Sequence, residues 1–253
     1  MLAMLQKEWM ELVRSGRLFS LVVLFTVFGV MNPGIAKLTP WLMEMMAEEM
    51  ASSGMVITSV EVDALTSWTQ FFKNMPMALL AFVVLWGGSL TGELQSGTLT
   101  LVVTKGLQRW KIYAAKLGLS ILTWTAGIWY CYGITYGYNA YYWDNGIAGG
   151  IAEATAAWWL FGFWVIAIMY LFSVIAGTAT GTYLGTGMTI AASYLAGLIP
   201  KAADYCPTAL TGGMAFVNTD SSIGNETATC IVTIVTLLAA VIIAIPVFNR
   251  KQI

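Results

Sequence analysis

The chain has 253 residues, of which 58% are hydrophobic and only 10% charged, with a formal net charge of −1 and a mean hydropathy of +0.74. Ordinary soluble domains carry about 25% charged residues, so this composition excludes a soluble globular protein and predicts an all-α integral membrane protein forming a single transmembrane domain over 1–253. Histidine is absent, which removes the commonest metal ligand and the usual base of a Ser or Cys hydrolase.

The first element is an amphipathic segment over 1–17. Leu2, Leu5, Trp9, Leu12 and Val13 fall on one helical face, and Lys7, Glu8, Glu11 and Arg14 on the other. Such a helix lies in the membrane interface with its charged face toward the cytosol. Six apolar segments then approach the roughly 20 residues that a spanning helix needs. They run from about Leu18 to Ile35, Met75 to Thr91, Tyr113 to Tyr136, Ala157 to Gly177, Leu184 to Ile199, and Thr229 to Phe248. The fourth and fifth are joined by an uncharged turn near Thr178–Tyr183. Gly177, Gly181 and Gly185 cross that turn at GxxxG spacing and serve either close helix packing or the turn itself.

Between the first two spans, Thr39-Pro40 reads as an N-cap followed by N1, and Thr58 to Glu61 as a capping box. Two short helices, about 40–51 and 59–73, are predicted. Met43, Met45, Met46, Met50 and Met55 gather there. Resting on the bilayer edge, contact with an apolar ligand, and Cu(I) binding are the open readings. The outer half of the third span is dense in Tyr and Trp from Trp124 to Trp143. It is either an interfacial aromatic belt or one wall of a path for amphipathic cargo, for which Thr123, Thr125, Trp129, Tyr132 and Tyr136 are the candidates. The last polar loop holds an apolar patch, Thr208–Val217, expected to dip back toward the membrane edge, and an Asn225 acceptor pattern for glycosylation. Cys206 and Cys230 flank that loop; three unpaired thiols are the simpler expectation, a disulfide the alternative if the loop faces an oxidising space.

Charge placement orients the chain. With the N-terminus inside, nine of the twelve basic residues lie on the inner side: Lys7, Arg14, Arg17, Lys105, Arg109, Lys111, Lys116, Arg250 and Lys251. Only Lys37, Lys73 and Lys201 lie outside, while ten of the thirteen acids are outside. The positive-inside rule therefore predicts two cytoplasmic termini in the cell membrane. No GxxxxGK[ST], HExxH or GxSxG is present, and no ionisable residue sits near the middle of a predicted span, as ion-coupled carriers usually require. The chain is expected not to be an enzyme by itself, to bind no metal, cofactor or nucleic acid, and to take any driving energy from a partner.

The cytoplasmic segment 93–116 carries more than orientation. Glu93 closes the second span, "SGTLTLVV" follows, and Arg109, Lys111 and Lys116 lead into the third. Thr98, Leu99, Leu101 and Val102 predict a short helix whose apolar face suits docking. Glu93, Gly97, Thr98, Leu99, Arg109 and Lys116 together resemble the E-x-x-x-G-T and later Arg and Lys pattern of ABC-2-type permeases, though "KGLQ" stands where that family has a proline and a small residue. The resemblance implies a membrane subunit of an ATP-driven exporter. It implies a second permease chain, identical or related, and two separate ATPase subunits that hold ATP and Mg. It assigns ATPase coupling to the N-terminal helix (Lys7, Glu8, Glu11) and to a cytoplasmic coupling helix between spans two and three, with Arg109 and Lys111 meeting acidic groups. The aromatic third span and the methionines favour a hydrophobic or amphipathic peptide of the export or immunity kind as cargo. The competing readings are a passive channel or ATPase-independent carrier, and a membrane scaffold or sensor.

Overall fold

In the computed structural model the described residues, all but 1, 52–61, 105, 218–225 and 252–253, form helices and short connections with no strand. Ten α-helices follow in order: α1 Leu2–Arg14, α2 Arg17–Ala51, α3 Ala64–Trp86, α4 Ser89–Gln95, α5 Thr98–Thr104, α6 Arg109–Tyr142, α7 Ile151–Ala176, α8 Ala179–Gly197, α9 Pro200–Ala203 and α10 Glu226–Arg250. Two 3₁₀ segments, Asn145–Ile147 and Pro207–Phe216, complete the description.

α7 is the hub. It is apolar around its whole circumference, as a helix enclosed by others must be, and α6, α8, α10 and the Pro207–Phe216 segment all pack on it. α2 and α3 pair with each other, and α2 also runs along α6. The core is aromatic: Trp68, Phe71, Phe82, Trp124 and Tyr170 are fully buried. Four helical stretches are long and apolar enough to cross a membrane among the described residues: Arg17–Met45, Ala64–Gln95, Ile151–Ala176 and Thr227–Arg250. The large apolar side chains they leave outward, such as Val27, Leu80, Ile175 and Ile242, are those a lipid environment covers.

Several expected boundaries are corrected. Pro40 does not begin a helix; α2 continues through both Pro33 and Pro40. A proline inside a helix strands the carbonyl four residues earlier. For Pro33 that carbonyl belongs to Gly29, and the Thr135 hydroxyl of α6 donates to it at 3.1 Å. The neighbouring helix supplies the missing donor, so the helix has no reason to stop. The predicted helix over 59–73 and the span from 75 are one element, α3, and the Thr58–Glu61 capping box lies outside the described residues. The observed cap is Asp63, whose carboxylate accepts from the Thr66 backbone N–H at 2.9 Å and its hydroxyl at 3.0 Å. Asp63→Ala is expected to lower thermal stability by about 1 kcal/mol, measured on the detergent-solubilised protein, whereas Asp63→Asn should retain most of it.

The hairpin turn is tighter than expected. α7 ends on Gly177 at φ 69°, and Thr178 caps α8 at once. Of the three spaced glycines, Gly177 therefore makes the turn. Gly185 serves packing, because a Cβ there would lie 2.2 Å from the Phe172 ring. Cys131, Cys206 and Cys230 are not joined in a disulfide. Met43 and Met45 are exposed; the side chains of Met46 and Met50, and Met55 altogether, lie outside the described residues, as do Lys105 and Asn225.

Candidate functional site

The end of the bundle that carries both termini holds a network of ion pairs. α1 meets α6 there, and the break between α3 and α4 brings Glu93 to the same point. Lys116, on the first turns of α6, is almost wholly enclosed, with 1% of its side chain exposed. Its ammonium lies 2.8 Å from the Glu8 carboxylate and 3.2 Å from that of Glu93. Lys7 pairs with Glu93, with Glu8 at 3.1 Å and with Glu11 at 3.3 Å. Arg17, at the start of α2, stands 3.8 Å from Glu11. Three carboxylates thus face three cations, and the junction is neutral as a whole.

Burial opposes the charge on Lys7, but its hydrogen bond to Glu93 and the charges of Glu8 and Glu93 outweigh that cost and hold the ammonium above the usual lysine range. Burial likewise opposes ionisation of Glu11, yet the charges of Lys116 and Lys7 prevail and keep its carboxyl below the usual carboxylate range. Taking such charges out of water is costly unless geometry and hydrogen bonding are good. Here the ion pairs themselves supply most of that compensation, and the layer beneath fixes the backbone that carries Lys116. The Lys116 carbonyl accepts from the Ser120 hydroxyl at 2.8 Å and from Tyr170 at 3.2 Å, and Ser120 and Ser89 also reach the Tyr170 oxygen, at 2.7 and 3.2 Å. One residue each from α4, α6 and α7 is thereby tied together under the ion pairs.

Both predicted faces of α1 contribute to its packing. Glu8 is buried with Met4 and Leu12, while Trp9, Met10, Val13 and Arg14 are outward. Lys116 explains the burial of Glu8: a buried cation on α6 needs a partner, and α1 supplies it. Periodicity alone finds two faces of a helix, but which face is inward depends on what the neighbour presents.

The segment after Glu93 follows from its glycine. Gly97 takes φ 69° and turns the chain from α4 into α5, a conformation that suits glycine. The Thr98 hydroxyl donates back to the Glu93 carbonyl at 3.3 Å. Leu99 is completely buried, so it anchors α5 to the bundle, and the exposed surface of this turn is polar: Gln95, Ser96, Gly97, Thr98 and Thr100. The side chains of Leu101 and Val102 lie outside the described residues. Arg109 stands apart from the ion pairs. Its guanidinium donates to the carbonyls of Phe248 at 3.3 Å, Asn249 at 3.1 Å and Lys251, capping the C-terminus of α10, where a cation is favoured by the helix dipole. Lys111 lies beside the Trp110 ring, 5.6 Å from its centroid.

Of the predicted coupling residues, the structure therefore gathers Lys7, Glu8, Glu11 and Glu93, and leaves Arg109 and Lys111 elsewhere. Sequence reasoning missed Lys116 as the centre of the junction, along with Arg17 and Tyr170. The available signal was a lysine inside the apolar run "IYAAKLGLSIL", where a cation survives only with partners.

The five candidate path residues do not share one cavity. Thr123 borders an apolar groove of about 560 Å³ with Trp9, Leu21, Phe25 and Tyr130. Thr125 accepts from the Trp159 indole at 2.9 Å. Trp129 packs on Tyr132, with ring centroids 5.4 Å apart, and Tyr132 and Tyr136 line a smaller cavity at the opposite end of the molecule.

An all-helical bundle with four membrane-length helices and an outward apolar surface is a transmembrane protein. No family model matches the chain. It is 26% identical over 231 aligned residues to the uncharacterized transmembrane protein YxlG of Bacillus subtilis strain 168, an alignment that covers 82% of this chain and 80% of that protein.

Proposed function

We propose that the chain is the permease subunit of an ABC-2-type exporter in the cell membrane, with both termini cytoplasmic. It pairs with a second permease chain, and two ATPase subunits supply ATP and Mg. In this reading α6 and α8 join the four apolar helices as spans. α6 has 34 residues, about 50 Å of helix, against a hydrocarbon core of about 30 Å. α8 has 19 residues, within the spanning range, and packs on α7. The nine-to-three bias of basic residues supports the orientation.

The observation that carries the proposal is the junction itself. The α4–α5 turn leaves a polar surface free, yet Glu93 at its root is ion-paired to α1 and to Lys116 of α6. A partner that pushes on this turn would move α1 and α6 with it, and coupling of an ATPase cycle to a helix bundle requires such a rigid connection. The cargo consistent with the aromatic far end of α6 is a hydrophobic or amphipathic peptide.

The test is a mild-detergent pull-down of the tagged chain from native membranes, with partners identified by mass spectrometry, beside a Gln95→Ala/Thr100→Trp variant that alters the exposed turn without touching the ion pairs. An ATPase carrying a phosphate-binding loop should accompany the wild type and fall about tenfold in the variant, the loss expected when a docking hot spot is blocked. Absence of any such ATPase, under conditions that preserve other membrane complexes, would overturn the proposal.

A further inference from the structure

At the end of the bundle opposite the ion-paired junction lies a cavity of about 190 Å³ whose walls include Trp68 of α3, Tyr132 and Tyr136 of α6, Asn145, Gly150 and Glu153 of α7. Tyr132 and Tyr136 stack, with centroids 6.0 Å apart at 24°, and Trp68 lies tilted against Tyr132 at 5.2 Å and 32°. The Asn145 amide pins the assembly, accepting from the Trp68 indole at 3.4 Å and donating to the Tyr136 carbonyl at 3.2 Å. Glu153, in the first turn of α7, stands exposed at the cavity mouth and makes no ion pair among the described residues.

We propose that this cavity binds an ammonium group, quaternary or primary, borne by a larger amphipathic molecule. Size argues for a head and not a whole ligand, because pockets for drug-sized molecules begin near 300 Å³. Charge decides the sign. The N-terminus of α7 contributes about half a positive charge and would by itself favour an anion. The Glu153 carboxylate carries a full negative charge at the same place, and no cationic side chain is on the walls. Aromatic rings with a carboxylate are the usual surroundings of a bound organic cation. The same end of the molecule already holds one such contact, with the Lys37 ammonium 3.7 Å from the Tyr142 ring centroid. The ammonium belongs either to a lipid headgroup or to a cargo molecule. For the cargo case the inference rests on the export reading; binding itself does not, and is measured with no ATPase present.

The experiment uses the full chain in nanodiscs of phosphatidylglycerol, with labelled tetramethylammonium as the probe in equilibrium dialysis. Saturable binding is expected, weakened about tenfold by Glu153→Gln and by Tyr136→Ala. Glu44→Gln, which removes an exposed acid from α2, should leave binding unchanged. Repeating the titration in phosphatidylcholine nanodiscs separates the sources. Competition by the lipid assigns the site to a headgroup, and unaltered binding assigns it to a soluble or cargo ammonium. The proposal is overturned by non-saturable uptake, by equal losses in Glu153→Gln and Glu44→Gln, or by inorganic phosphate binding where tetramethylammonium does not.

Discussion

Lys116→Met is expected to destabilise the protein by about 3–5 kcal/mol, the range found when one partner is removed from a buried ion pair. The penalty comes from what is left behind. Glu8 is 6% exposed and would keep only Lys7 as a counter-charge, and Glu93 would lose a contact at 3.2 Å. Methionine nearly matches the length of the lysine stem, so lost packing is a minor part of the effect. The measurement is heat-dependent loss of the monodisperse peak of detergent-solubilised protein. Adding Glu8→Gln to Lys116→Met should restore most of the loss, because the uncompensated carboxylate is then gone. Lys73→Met, at an exposed position on α3, should leave the transition where it is. If Lys116→Met behaved like Lys73→Met, the junction would not be holding α1 on α6.

Gly162→Ala is the second large effect. A Cβ at this point of α7 would lie 2.1 Å from Nε1 of Trp124, 2.3 Å from Cε2 and 2.6 Å from Cζ2. The indole has no room to retreat. It is fully buried, its N–H donates to the Trp159 carbonyl at 3.2 Å, and Phe25 and Phe82 sit edge-on to it at 6.1 and 5.5 Å. Overpacking of this kind costs about 1–3 kcal/mol. In a Trp124→Leu background, which lacks the clashing ring atoms, the further cost of Gly162→Ala should be smaller than in the wild type. Gly118→Ala on α6, where a Cβ meets nothing within 4 Å, should be neutral or stabilise by about 0.4–1 kcal/mol through the unfolded state. Equal behaviour of the two glycine variants would mean that α6 and α7 do not approach as closely as described.

The contrast between these positions shows where sequence reasoning holds and where it stops. A low charged fraction and long apolar runs are properties of composition, and they lead to a helical membrane protein because the bilayer offers backbone groups no other partner. The ends of elements were less legible. Thr39-Pro40 has the local chemistry of a helix start, but α2 continues through it, as it does through Pro33, whose freed Gly29 carbonyl takes a donor from Thr135 of α6. The 93–99 turn was legible because Gly97 is a local requirement of the backbone. Arg109 was not, because a guanidinium carries no sign of which carbonyls will come within its reach.

By itself the sequence determined the class of this protein, the amphipathic character of α1, and the gathering of acids and bases around residues 7–17 and 93–116, since all of these are properties of short-range order. Only the tertiary structure decided which charges meet. Lys7 and Glu93 are 86 positions apart, and Lys116 and Glu8 are 108. Their pairing follows from how α1, α4 and α6 pack. Burial then makes it binding, because Lys116 inside the bundle is tolerable only with carboxylates in contact.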